Sequence, residues 1–563
     1  MANTTLRVPL LPFSGGWASI PLASWWAPLA LTLALWLISR LLKPPHSPRN
    51  TPEVRALPGP ARPRFGWLLG NMAQLADHRE TLIHPDWFQW GWTGVYESLF
   101  AQKRIYTFDP AAVGYIFAHP DEFERPRDLR TILGHIMGAD SLVVNEGEKH
   151  RRMRRALNPA FSAGAIKEMM PAMLEKAGEM VALFERLIDE EALESYAARA
   201  PAPEDRVPGA RKIDVFKFAG NLTTDIIGIA GFEHDFNSLS PEDDSPALLA
   251  NRFNRLVDAA NGMVLLTEAQ NIMPVLDKIP TQSRRVIGEV RGQMERLSDT
   301  LFARRKEVGY DPGAKDLLSL LVKSASATKS DAAMSHDEVR AQMASLLFAG
   351  STTTAATISF ILFELAKLSE WQEKLRAEVL AGHARPSFEA LNAFPLLDAV
   401  IRETLRLHPP ASCTCRATTK DMVLPLAKPI PLRDGRTIDA LPVSKGSYFF
   451  ISMVCLNRLK EIWGDDAEEF NPARHADPAL PRMQVPGVWG NVSSFISGPH
   501  ACIGYRLAII EIKVVLHALL RAFEFELLPS RPHIQHFSSL ATQPQVKGEP
   551  GGQMPLLVRR HRV

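Results

Sequence analysis

Cysteine is scarce in this chain, with four in 563 residues: Cys413, Cys415, Cys455 and Cys502. They are too few and too unevenly spaced for a disulfide framework, and Cys413-Thr414-Cys415 lacks the second pair that would complete a metal site. The body is therefore expected to fold in a reducing compartment. Charge imbalance is equally slight, +2 from 64 basic and 62 acidic residues, so nothing points to nucleic acid as a partner. There is no internal repeat and no low-complexity tract long enough for disorder. With 46% hydrophobic residues the chain can bury a sizeable core, as one large unit.

What is present begins at the amino terminus. Trp17 to Ile38 carries no charge and is punctuated by Trp25, Trp26 and Trp36. A helix of that length spans ~33 Å, one hydrocarbon core. Pro21 and Pro28 weaken its first half. A cleaved signal peptide is the rival, but Arg7 alone precedes the run while Arg40, Lys43 and Arg49 follow it. That asymmetry favours an uncleaved single-pass anchor in residues 1–43, with the rest of the chain cytosolic. Pro44, Pro45, Pro48, Pro52, Pro58 and Pro60 make residues 44–65 a stiff hinge expected to be poor in hydrogen bonds, ahead of a body at 66–563. Of the glycosylation acceptors Asn3, Asn221 and Asn491, only Asn3 would face the lumen.

Helical periodicity dominates from about Pro120 to Leu407. Ser335-His-Asp-Glu338 is a capping box, and the apolar run from Val339 to about Leu368 must be a buried central helix. Another helix starts near Ser369. Short strands are predicted at 95–100, 104–108, 447–451, 523–528 and 554–558, giving a mainly α protein with small β-sheets. Glu194–Arg211 reads as a solvated insertion.

The most informative stretch is Phe495-Ile-Ser-Gly498-Pro-His500-Ala-Cys502-Ile-Gly504, a single cysteine on a glycine-punctuated loop that runs into a helix. Gly498 and Gly504 permit a tight turn beside a flat ligand. The unpaired amides and positive end of the following helix favour a thiolate. A lone cysteine is more often a small buried apolar residue. The whole ten-residue pattern, however, resembles the haem-binding signature of the cytochrome P450 family, which implies that Cys502 is the axial thiolate of haem iron. In that family the thiolate pushes electron density toward O–O cleavage.

Four further stretches carry the same resemblance, from about Leu57 to the end of the chain. Ala349-Gly350-Ser351-Thr352-Thr353 in the central helix resembles the oxygen-binding motif. It implies that Gly350 makes room for cofactor and ligand and that Thr353 hydrogen-bonds dioxygen and helps deliver protons. Thr352 stands where most members carry Asp or Glu, so proton delivery would run through hydroxyls and water. Glu403-Thr-Leu-Arg406, with Arg474 in Phe470-Asn-Pro-Ala-Arg474, resembles the E-x-x-R triad that fixes the loop behind the haem. His150 and Arg154 match a propionate-holding helix; Arg151, Arg152 and Arg155 beside them could attract an acidic redox partner. Arg416 matches another propionate ligand, and His500 stands where arginine is commoner. Phe495, Gly498 and Gly504 complete the cofactor loop.

The resemblance implies an endoplasmic-reticulum monooxygenase, with wording around Gly147–Ser162 closest to fungal members. Such an enzyme takes electrons from NADPH through a separate reductase and inserts one oxygen of O2 into a hydrophobic substrate. Ile132–Asn145, Ser345–Thr353, Pro410–Ser412 and the turn near Ala541 would line the substrate site, next to the membrane lipid. A terpenoid or polyketide of fungal secondary metabolism is the expected substrate. Fatty-acid hydroxylation, a reductase-independent isomerase or dehydratase, and a non-enzymatic haem sensor are the alternatives.

Overall fold

The computed structural model describes residues 50–63, 70–71, 85–240, 253, 281–309, 316–326, 333–538 and 541–561. The anchor expected at 1–43 lies outside them. The apolar run after Ser335 is one helix, His336–Lys367. Its capping box is complete: the Glu338 amide donates to Ser335 Oγ at 3.2 Å, and the Ser335 amide to the Glu338 carboxylate at 2.9 Å. A helix apolar on nearly every side must be surrounded by protein, and Val339, Met343, Leu347, Ile358 and Leu362 are fully buried. Against it pack Val215–Phe232, Gln282–Val308, Pro395–Leu407 and Tyr505–Ala522. Among the described helices it alone is long and apolar enough to cross a membrane. Its place in the core accounts for that composition.

The sheets are small and lie to the side of the helices. One has five strands in the order Thr93–Glu97, Lys103–Thr107, Tyr448–Ser452, Cys413–Thr418 and Phe123–Glu124. A second joins Ala210–Asp214, Pro555–Arg560 and Phe523–Glu526. Two hairpins, Met422–Pro431 with Thr437–Val443 and Ile534–Ser538 with Thr542–Val546, complete the described strands. All five strands expected from the sequence are found, displaced by a few residues. The register has a functional consequence. Glu124 pairs with Ala417, so Arg125, one residue on, is brought beside Arg416.

Two expectations need correction. The described part of the hinge is not poor in hydrogen bonds: Pro52–Ala56 is a short helix capped by Thr51, and Val54 and Leu57 are fully buried. The Val95 amide donates to the Pro58 carbonyl at 2.8 Å, and the Arg433 amide to that of Ala56 at 2.8 Å. Proline loses its own N–H, but its carbonyl still accepts, and the body supplies the donors. The Glu194–Arg211 insertion is likewise fastened. Tyr196 and Ala197 are buried, and Asp205 accepts from both the amide and the hydroxyl of Ser530 at 3.0 Å.

Candidate active site

The cysteine loop is built by two contacts. The Cys502 amide donates to the Phe495 carbonyl at 2.9 Å, closing the turn. Gly498 has φ +72°, and a Cβ there would lie 2.0 Å from the Phe117 carbonyl oxygen. Only glycine fits that conformation and that approach. Gly498→Ala is expected to cost about 1–2 kcal/mol from the backbone alone, with a further loss because the loop must move off Phe117. Thermal unfolding of the variant checks this. Gly504 differs from expectation. Its φ is −91°, open to any residue, and a Cβ would lie 3.5 Å from Phe161. What Gly504 supplies is its amide, near enough to the Cys502 sulfur to favour the thiolate.

Phe495 packs edge-on to Trp489 and against Tyr505, with ring centroids 6.5 and 6.0 Å away. Cys502 itself is exposed by area. Yet burial among protein atoms pushes its thiol above the usual value, against the Gly504 amide and the charge of Arg154, which favour the thiolate. A sulfur that is exposed yet surrounded by protein atoms looks onto a confined interior space. The amide at the helix start favours the thiolate, as expected, but desolvation outweighs it in the free thiol.

The central helix shows a matching feature. Leu346, Ala349, Gly350 and Thr353 are half-buried, whereas their neighbours are almost all buried. That spacing is one helical face, left open in the middle of the core. Thr353 Oγ1 donates to the Ala349 carbonyl at 2.8 Å. Gly350 lies at the edge of that face and also against the neighbouring helix, where a Cβ on it would meet Ile227 at 3.2 Å. Its missing side chain lets the Val215–Phe232 helix approach. Thr352 lies off that face. With Ser351 and Ala355 it lines a small cavity closed by Phe216, Gly220, Thr224 and Phe253.

Around the cysteine loop sits a cluster of cationic and ring side chains. His150 and His500 stack with centroids 4.0 Å apart. Arg154 Nη1 donates to the Ala501 carbonyl at 2.6 Å, holding the loop from below. Arg416 Nη1 donates to Thr414 Oγ1 and the Cys415 carbonyl, both at 2.8 Å. Burial, and then the neighbouring Arg125, bring its pKa down to about 9. Two buried guanidiniums in mutual repulsion make a site that an anion would relieve. Two residues here were not read from the sequence. Arg125 Nη1 donates to His500 Nδ1 at 2.9 Å and to Glu146 Oε1 at 2.9 Å. Glu146, 6% exposed at its side chain, places Oε2 2.9 Å from His500 Nε2.

Behind the loop, Glu403, Arg406 and Arg474 meet. Arg406 donates to both Glu403 oxygens at 2.9 Å, and Arg474 Nε to Oε1 at 2.8 Å. His475 Nε2 lies 3.0 Å from Oε2, a fourth member not foreseen. Burial alone would raise the Glu403 pKa, but Arg406 and His475 bring it down to about 2.

These residues fit a haem. An accessible but desolvated sulfur supplies an iron ligand, a small-residue helix face leaves room, and Arg125 with Arg416 awaits carboxylates. Comparison with known proteins agrees with that chemistry. The family model described as Cytochrome P450 matches residues 60–548. Cytochrome P450 monooxygenase 205 of Postia placenta is 34% identical over 548 residues, covering 94% of this chain and 96% of its own. Cytochrome P450 monooxygenase claP of Ampulloclitocybe clavipes is 31% identical over 544 residues, covering 94% and 97%. The chain belongs to the cytochrome P450 family and is an oxidoreductase of its monooxygenase class.

Proposed function

We propose that Cys502 ligates haem iron and that this monooxygenase inserts one oxygen atom of O2 into a hydrophobic small molecule, a terpenoid or polyketide in fungal secondary metabolism. The observation that carries the reading is the Cys502 sulfur, exposed on the loop that the Cys502 amide closes onto Phe495, with the Gly504 amide and Arg154 favouring its thiolate. When bound, the haem supplies the oxygen activation and the electron transfer. His150, Arg125, His500 and Arg416 would hold its carboxylates, and Phe495 would pack beside it.

The central helix positions the substrate. Thr353 Oγ1 can turn from the Ala349 carbonyl toward the open face and hand a proton to a ligand there. Thr352 and Gly350, set toward the Val215–Phe232 helix, shape that stretch from behind. Two of the segments assigned to substrate meet where the Thr542 amide donates to the Pro410 carbonyl at 2.7 Å, and a third is tied to the central helix just before Ser345, where the Leu142 amide donates to Gln342 Oε1 at 2.8 Å. Residues 1–43 anchor the enzyme in the endoplasmic reticulum membrane, where a separate NADPH-dependent reductase delivers electrons to the cytosolic body.

The test is turnover of full-length enzyme with a reductase, NADPH, isotope-labelled dioxygen and candidate terpenoids, polyketides and fatty acids. The expected result is a product carrying one labelled oxygen atom, formed only when NADPH is consumed. A rearranged or dehydrated product formed without reductase would overturn it. In the same assay Thr353→Ala is expected to keep NADPH consumption while product per NADPH falls severalfold and peroxide rises, because the protein loses a positioned proton donor.

A further inference from the structure

Among the described residues, Glu146 alone brings a carboxylate against Arg125 and His500, and its placement is unusual for a surface-type residue. It is the N-cap of Gly147–Leu157, the helix that carries His150 and Arg154, yet its carboxylate makes no side-chain cap. Both oxygens turn inward instead. Oε1 accepts from the Arg125 amide at 3.2 Å and from Arg125 Nη1 at 2.9 Å. Oε2 lies 2.9 Å from His500 Nε2. Since a guanidinium can only donate, the contact from Arg125 makes His500 Nδ1 an acceptor and leaves the ring proton on Nε2, facing the carboxylate. Glu146 therefore holds Arg125, which sets the tautomer of His500, and lies against the His500 ring, whose tilted contact with His150 carries the constraint onward.

We propose that Glu146 is a positioning residue for the cofactor's carboxylates. It clamps the Phe123–Arg125 strand end, the His150 helix and the Cys502 loop into one preorganised recess. The inference rests on the haem site assigned above.

Two physical effects of Glu146 have opposite signs, which makes the proposal decidable. As a bare charge, a buried carboxylate repels an incoming carboxylate, so its removal should tighten haem binding. As a clamp, its removal frees Arg125 and His500, so haem should be lost faster. The preorganisation effect is expected to win. Arg125 loses a charge-assisted hydrogen bond and His500 a close contact with the carboxylate, and removing such outer contacts typically weakens a site by about 10- to 100-fold.

The experiment measures the rate of haem transfer from full-length holoenzyme to excess apomyoglobin. Wild type, Glu146→Gln, Glu146→Asp, His500→Phe and the Glu146→Gln/His500→Phe double variant are compared. Glu146→Gln is expected to lose haem about tenfold faster than wild type. Glu146→Asp, with the charge kept but one methylene less reach, should fall between the two. In the His500→Phe background the Glu146→Gln change should cost clearly less, because one of its two partners has gone. A helix-capping or merely structural role would cost the same in both backgrounds. Unchanged or slower haem loss in Glu146→Gln, wild-type behaviour of Glu146→Asp, or strict additivity in the double variant would overturn the proposal. If Glu146→Gln yields no folded protein, the Asp variant carries the test. The red-shifted ferrous carbon monoxide band of the wild type serves as the control. Its presence with unaltered Glu146 variants sinks only the clamp, whereas its absence sinks the haem assignment.

Discussion

Cys502→Ala is expected to abolish the red-shifted ferrous carbon monoxide band and all NADPH-dependent oxygenation, while leaving the polypeptide folded. The two halves of that expectation come from different features. The sulfur is exposed by area and is held through backbone groups, the Cys502 amide on Phe495 and the Gly504 amide at the sulfur. Alanine keeps the first of these and deletes no core packing, so the unfolding transition of the haem-free protein should move by under about 1 kcal/mol. The spectroscopic half follows from ligand chemistry. Iron must displace the proton of a thiol whose surroundings favour the neutral form, and only a metal–sulfur bond compensates that. Cys502→Ser separates ligation from occupancy: haem should still be bound, without the sulfur-specific band. A red-shifted band in the alanine variant would remove Cys502 from the site.

How much of this could be read in the sequence depended on whether the signal was local. The cysteine loop, the Ser335–Glu338 cap and the central helix are each contiguous, and a run of residues states its own period or turn. Glu403 and Arg406 are three apart on one helix, and Arg474 lies in a short stretch of its own. Arg125 and Glu146 had no such help. They stand 21 residues apart, and Arg125 lies 375 residues from His500. Only strand pairing and helix packing bring the three together. The clue in retrospect is Phe123-Glu-Arg125 at the end of a strand, followed by Pro126, which directs the next chain segment away. The Met422–Pro431 strand was hidden for another reason. Pro425, Pro429 and Pro431 break the alternation, and an irregular register between Pro425 and Ile430 accommodates them. Gly350 and Gly504 also have roles visible only in three dimensions: Gly350 lets Ile227 approach, and the Gly504 amide favours the Cys502 thiolate.

Arg406→Ala is expected to be the most damaging single change to stability, costing about 3–5 kcal/mol. Arg406 is fully buried and holds more than its carboxylate. Its Nη1 donates to the carbonyls of Asn457 and Ala467, and its Nη2 to that of Glu469. Removing it leaves Glu403 with Arg474, His475 and the Asn471 amide, and takes a donor from three carbonyls in the buried interior. Against a total stability of about 5–15 kcal/mol, soluble haem-bound protein should be nearly lost. Arg406→Lys should recover part of the effect, since an ammonium keeps the charge but cannot span two carboxylate oxygens and three carbonyls. The same cluster sets acid sensitivity. With Glu403 brought from 4.5 to about 2 in the folded state, its contribution is fully present above the unfolded value and is lost as pH falls from about 4.5 toward 2. It amounts to about 3 kcal/mol. His150, buried neutral with its pKa brought down to about 3, acts in the same direction from about 6.5 downward. Unfolding midpoints in denaturant, measured from pH 7 to pH 3, should fall steadily in wild type. In Glu403→Gln the slope should be shallower below about pH 4.5, from a much lower starting stability, because the glutamine cannot ionise. Parallel slopes in the two proteins would show that acid lability arises outside the Glu403 cluster.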